Sequence, residues 1–174
     1  MYQSKRFKVW RVSLKKKLTI VILIIFSILY IGDKITSNYP DNPPKLKVKY
    51  NGNEFKAELN EYIWQEVKIP GQTIGNSNLS VSEIEMAQDM DSIDVSSNDV
   101  LEIKLSYYKN ISKIDVFEVI KDGEDRKTIP VEFSGYVIKA PIDKGEHVYV
   151  VDAIGDLSVQ SSHSARYVIK LNVI

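Results

Sequence analysis

Several groups of side chains in this sequence are of types that do chemistry. Asp89, Asp91 and Asp94 sit close together in a stretch where no basic residue falls between Lys68 and Lys104 and seven acids do. Hard oxygen ligands gathered in a loop are what calcium requires. A regular EF-hand loop beginning at Asp89 would need a ligand at Ile93, a glycine at Asp94 and an acid at Val100, and none is present. Two readings stay open, an irregular weak calcium site and a solvated acidic turn. Ser161-Ser162-His163-Ser164, with Asp152 and Asp156 nearby, supplies a nucleophile type and a base type. Adjacent strand residues point to opposite faces, however, and nucleophile-elbow glycines are missing, which argues against a serine hydrolase. The chain holds only two histidines. If residues 148–154 pair with 166–173 around a loop near Gln160, His147 lies opposite about residue 173. His163 is then roughly 25 Å away, too far to share a metal. Tyr62 and Trp64 share a face of an extended chain, and Tyr107-Tyr108 precede a loop. Such rings stack on sugars or build a protein-binding patch, and equally well fill a core. Tyr108 is the ring expected outside, because alternation turns it away from Leu105 and Tyr107.

Composition narrows the field. The chain has 174 residues, 44% hydrophobic and 26% charged, as a globular protein would, and no cysteine. Disulfides, thiolate metal sites and cysteine nucleophiles are therefore excluded. The net charge of zero hides an asymmetry. Residues 1–32 carry seven Lys/Arg and no acid, which leaves 23 − 7 = 16 basic against 23 acidic side chains in 33–174. The larger part is thus −7, which argues against nucleic acid as its partner. Nothing calls for a cofactor, and no carboxylate pair stands out for acid–base catalysis.

The elements that would position these groups fall in four parts. Residues 1–17 form a basic arm and 18–32, LTIVILIIFSILYIG, an uncharged apolar segment. Fifteen helical residues reach roughly 22 Å, less than the ~30 Å hydrocarbon core. Snorkelling Lys15, Lys16 and Lys17, with Tyr30 at the interface, would close part of the gap. No alanine precedes Ala57 to make a cleavage site, so an uncleaved signal anchor is expected, N-terminus in the cytoplasm and C-terminal part outside. The aromatic and basic residues of the arm suit anionic lipid headgroups. Residues 33–44, with three prolines, read as a stalk, and 45–174 as the folded domain.

Period-two alternation dominates that domain. Leu46, Val48 and Tyr50 lead to the hairpin turn Asn51-Gly52, and Phe55, Ala57 and Leu59 return, extending past a bulge to Tyr62-Ile63-Trp64. Residues 66–79 read as loop. Ser80 and Glu83 have capping-box spacing for a short helix. Strands are then expected around 93–95, 101–107, 114–119 (with a bulge where the apolar phase slips from Val116 to Phe117), 129–133, 136–140, 148–154 and 167–173. Pro130 marks an edge or a strand start. The predicted fold is all-β, an antiparallel β-sandwich of eight or nine strands preceded by one transmembrane helix.

Two stretches resemble bacterial immunoglobulin-like modules. One is Pro141-Ile142-Asp143-Lys144-Gly145-Glu146-His147-Val148-Tyr149-Val150-Val151, where His147 takes the place of a corner tyrosine. The other is Ile93-Asp94-Val95, a polar turn, then Leu101-Glu102-Ile103-Lys104-Leu105. Pro43-Pro44, the first hairpin and Leu59, Tyr62 and Trp64 are similar to those of signal-anchored surface proteins of Gram-positive, Bacillus-type bacteria, with Ile63 where several have cysteine. The resemblance implies an immunoglobulin-like sandwich at the cell surface and brings no activity with it. The expected function is a non-enzymatic, membrane-anchored binding module. A protein partner is preferred, since a −7 domain is repelled by anionic wall polymers. An envelope-acting enzyme with carboxylate acid and base, and a calcium-dependent adhesion element, are the alternatives.

Overall fold

The computed structural model describes residues 16–30, 40, 42–69, 72–109, 111–122, 125–158 and 161–174. It divides into two compact units, Met1–Pro40 and Asp41–Ile174. In the first, residues 16–30 form helix α1, whose apolar side chains from Leu18 to Leu29 are exposed. Ser27 Oγ donates to the Leu23 carbonyl at 2.8 Å, the usual back-bond of a helical serine. Lys16, Lys17 and Tyr30 lie at the ends of this helix, while Lys15 and residues 31–39 fall outside the described residues. Among the described residues no helix is long and apolar enough to cross a membrane.

The second unit is mostly β. Strands β1 (Leu46–Tyr50), β2 (Asn53–Lys56), β6 (Val100–Leu105) and β9 (Val137–Lys139) form one sheet, ordered β2-β1-β6-β9. The other is ordered β4-β3-β11-β10-β7-β8, from β3 (Glu58–Ile69), β4 (Gln72–Asn78), β7 (Ile111–Asp122), β8 (Asp125–Pro130), β10 (Gly145–Ser158) and β11 (Ser161–Val173). Short β5 (Ile93–Val95) pairs parallel with the end of β11, and every other pairing is antiparallel. One core joins the two sheets. Leu46, Val48, Leu101, Ile103 and Ile138 come from the smaller sheet, and Trp64, Val151, Tyr167, Ile169 and Leu171 from the larger. The all-β, sandwich-like expectation therefore holds.

Local chemistry explains the elements. Asn51 and Gly52, at φ 47° and 80°, make the two-residue turn between β1 and β2 that twisted strands prefer. Ala57 then carries the chain from one sheet to the other, its N–H on the Leu46 carbonyl at 3.2 Å. Residues 42–44 belong to the domain and not to a free stalk. The Tyr167 hydroxyl donates to the Pro44 carbonyl and the Tyr107 hydroxyl to that of Asn42.

Within the expected loop, residues 66–69 and 72–78 are strand. They pair β3 with β4 antiparallel, registered Gln65↔Gly75 and Trp64↔Asn76. A Cβ at Gly75 would lie 2.1 Å from the Trp64 carbonyl oxygen, so only glycine lets the two backbones come this close. The phase slip in β7 is not a bulge, because its register runs unbroken from Ile114 to Val119. Val116 is buried on the inner face and Val119 on the outer one, where helix α2 (Glu83–Gln88) packs across β7, β10 and β11. The helix is capped by Ser82 without a side-chain bond, and the capping box expected from Ser80 and Glu83 does not form. Ile129 and Pro130 end an exposed edge strand, β8. Val131 and Phe133 lie beyond it, half-buried against the core.

Candidate functional site

Two half-exposed tyrosines meet where the β6–β7 connection lies beside the β8–β9 connection. Tyr108 is 40% exposed and its ring meets that of Tyr136, 47% exposed, edge-on with centroids 5.0 Å apart. Phe133 meets Tyr136 at 6.1 Å and 83°. The alternation that buries Leu101, Ile103 and Leu105 ends at Tyr107, whose ring goes inward to Trp64 at 6.4 Å. Tyr108 is turned the other way, and its hydroxyl accepts the Leu105 N–H at 3.2 Å, which pins the ring beside the strand end.

Tyr136 is placed by a tight turn. Ser134 and Val137 exchange N–H···O bonds of 3.2 and 3.4 Å across Gly135 and Tyr136, which adopt φ 61° and 64°. Such a turn needs positive φ at both central residues, which glycine accepts freely and a tyrosine does not. The cost for a side chain bearing a Cβ is about 1–2 kcal/mol. Edge-on contacts with Tyr108 and Phe133 offset it, at about 0.5–1.5 kcal/mol per aromatic pair. The three rings, with Ile111 and Ile114, border an open hollow of about 190 Å³, and Lys113 stands on its rim. Flat π faces half in water, held by the backbone, suit stacking and shape recognition.

Of the rings singled out from sequence, Tyr108 belongs to this ledge and the other two do not. Trp64 is 2% exposed, edge-on to His163 at 4.7 Å, and offers no face to a ligand. Tyr62 is half-buried against the core. Phe133 and Tyr136 were missed because alternation assigned them to strand faces. The Ser134-Gly135 dipeptide was the available signal for a turn.

Several acidic and basic side chains form structural pairs. Asp89 ends α2, and Asp94 Oδ1 accepts from Asn172 Nδ2 at 2.7 Å. Among the described residues no three His, Asp or Glu side chains converge to hold a metal, so Asp89, Asp91 and Asp94 do not make one site. On the outer face of the larger sheet, Arg166 grips Asp152 with two bonds, 2.7 and 2.8 Å, and reaches Glu83 at 3.4 Å. Glu83 is 1% exposed and also accepts from Arg126. The Asp152 hydrogen bonds raise the Arg166 pKa further, so that guanidinium stays charged. Asp115 lies opposite Asp152 in register, yet binds Lys113 at 2.7 Å, so both carboxylates of this neighbouring pair already hold a cation.

The histidines are separate. His163 is 1% exposed in the core, while Ser162 and Ser164 turn to the other face. His147 lies opposite Leu171, not residue 173. Ser158 pairs with Ser161, a register slightly earlier than expected, and a bulge between Ile154 and Leu157 moves it again. Counting along β11, 171 − 163 = 8 residues, or about 26 Å, keeps the imidazoles apart. His147 Nε2 bonds the Asp143 carbonyl at 2.9 Å, and Nδ1 the Glu118 carboxylate at 2.6 Å. The first bond reaches back to backbone upstream of the strand, as a corner tyrosine does. The pair borders an open groove of about 620 Å³ beside α2.

No family model matches the chain, and neither does any curated protein or solved structure.

Proposed function

We propose that this chain is a membrane-anchored binding module of the bacterial cell surface. In this reading an immunoglobulin-like sandwich outside the membrane offers the Tyr108–Phe133–Tyr136 ledge to a protein partner. The carrying observation is Tyr136, a half-exposed aromatic ring kept at φ 64° beside another half-exposed ring. Glycine would adopt that φ without the backbone cost, and a strained residue that carries a ring at the surface is a feature of binding sites.

The charge asymmetry supports the anchor and the choice of partner. Seven positive charges before an apolar helix hold the N-terminus in the cytoplasm. Residues 1–32 then contact lipid, with Lys15, Lys16, Lys17 and Tyr30 at the interfaces, and local bilayer thinning absorbs the short span. A −7 outer part is repelled by anionic wall polymers and nucleic acid, which leaves a protein surface as the better fit. The bond from His147 to the Asp143 carbonyl supports the immunoglobulin-like corner. The enzymatic alternative has less support, because the neighbouring carboxylates Asp115 and Asp152 are neutralised by Lys113 and Arg166.

The test is crosslinking in intact cells, followed by purification of the full-length chain and of its Tyr108→Ala/Tyr136→Ala variant. The reading expects one dominant protein partner with the native chain and its loss with the variant at equal cell-surface level. A partner retained by the variant, or protection of residues 41–174 from protease added outside the cells, would contradict it.

A further inference from the structure

We infer that β4 is a self-association edge, through which two copies of this chain join their larger sheets by antiparallel β4–β4 pairing. The sheets end in strands that are not alike. At one edge of the smaller sheet, β2 carries Glu54 and Lys56, tied to Lys47 and Glu58. At the other, β9 has three residues and ends in Lys139. In the larger sheet, β8 presents Asp125, Arg126, Lys127 and Pro130, and β5 is three residues long with Asp94 at its centre. Short length, charge and proline are the devices that keep an edge from pairing with another chain. Strand β4, Gln72-Thr73-Ile74-Gly75-Asn76-Ser77-Asn78, has none of them. It is seven residues long with no charge and no proline, and among the described residues no strand pairs its outer side.

The occupant that fits is a second copy. Antiparallel pairing centred on Gly75 overlaps all seven residues and sets Gln72 against Asn78, Thr73 against Ser77 and Ile74 against Asn76. No position places like charges opposite each other, although the part as a whole carries a net charge of −7. Gly75 pairs with itself on the two-fold axis, where no side chain stands between the backbones. Thr73, Asn76, Ser77 and Asn78 are all exposed, so pairing requires nothing to be uncovered first.

The absence of cysteine makes the register testable. The full chain carrying Thr73→Cys and Ser77→Cys together, in detergent micelles under mild oxidant, is expected to form a covalent dimer. Either cysteine alone is not, since equivalent residues of the two copies lie about 13 Å apart, beyond disulfide reach. Sedimentation of the unmodified chain should show a concentration-dependent dimer. Thr73→Lys with Ser77→Lys, which sets lysine against lysine twice, should raise its dissociation constant about tenfold with an unchanged circular dichroism spectrum. Three results would overturn the inference: a monomer at every concentration, a dimer indifferent to the lysines, or single cysteines that crosslink as well as the pair.

Discussion

Replacing Arg166 by Met tests what holds α2 on the outer face of the larger sheet. The change keeps most of the aliphatic stem and removes only the guanidinium. It leaves Asp152, 16% exposed, without its two bonds, and Glu83, 1% exposed, with Arg126 alone, itself 46% exposed. Breaking a buried ion pair from one side costs about 3–5 kcal/mol, because a charge is stranded away from water. Some water reaches Asp152 and one cation remains on Glu83, so the lower end applies, about 3 kcal/mol. For a domain of this size that is a fall in Tm of about 12 °C. Urea unfolding followed by tryptophan fluorescence reads it directly, since Trp64 is in the core. A Trp10→Phe background removes the other tryptophan. Replacing all three members with apolar residues, Arg166→Met, Asp152→Leu and Glu83→Met, should restore most of the loss, because no charge is then left buried. A cost for Arg166→Met of under about 1 kcal/mol, the range of exposed pairs, would refute the reasoning and leave α2 held by its apolar contacts.

Other outcomes follow from the same geometry. Tyr136→Gly should be more stable than Tyr136→Ala by about 1 kcal/mol, since both lose the ring and only glycine relieves the backbone, as paired melting curves would show. Gly75→Ala should expose the β4 amides to faster hydrogen exchange than those of β11, because its Cβ would stand 2.1 Å from the Trp64 carbonyl oxygen. Hydrogen bonds from Tyr50 and the Ser96 N–H hold the Asp99 carboxyl below its ordinary range. Its contribution is therefore present above that range and lost as pH falls through the lowered value, and Asp99→Asn should flatten the acid side of the stability profile. Burial pushes the Tyr107 hydroxyl up to about 12 from 10.0, so the folded state keeps its proton longer. That contribution is complete below pH 10 and lost as pH rises towards about 12, and Tyr107→Phe should remove this part of alkaline unfolding in a pH-jump titration.

The first hairpin was legible because Asn51-Gly52 admits few other conformations, β11 because period two runs through its second half, and β10 because residues 148–154 are apolar on both faces, as a central strand is. Strand β4 was hidden by its own composition. Gln, Thr, Gly, Asn and Ser have the signature of a loop, and they pair only because β3 beside them is strongly β-forming and Gly75 permits close approach. The slip in β7 followed from burial on two faces, which a single-face reading turns into a bulge. Glu83 had capping-box spacing, yet Arg126 and Arg166, distant in sequence, draw it beneath the helix instead. Of the ledge, only Tyr108 followed from alternation. Tyr136 depends on the Gly135-Tyr136 turn, where a tyrosine at positive φ runs against local preference.

The most direct test of the central claim is site-specific photocrosslinking in living cells, with a photoreactive residue placed at Tyr136 of the full-length chain and, as control, at Lys127 on β8. The account predicts a discrete adduct with one protein from position 136 and none from position 127. Equal labelling at both positions, or no adduct from either, would contradict it.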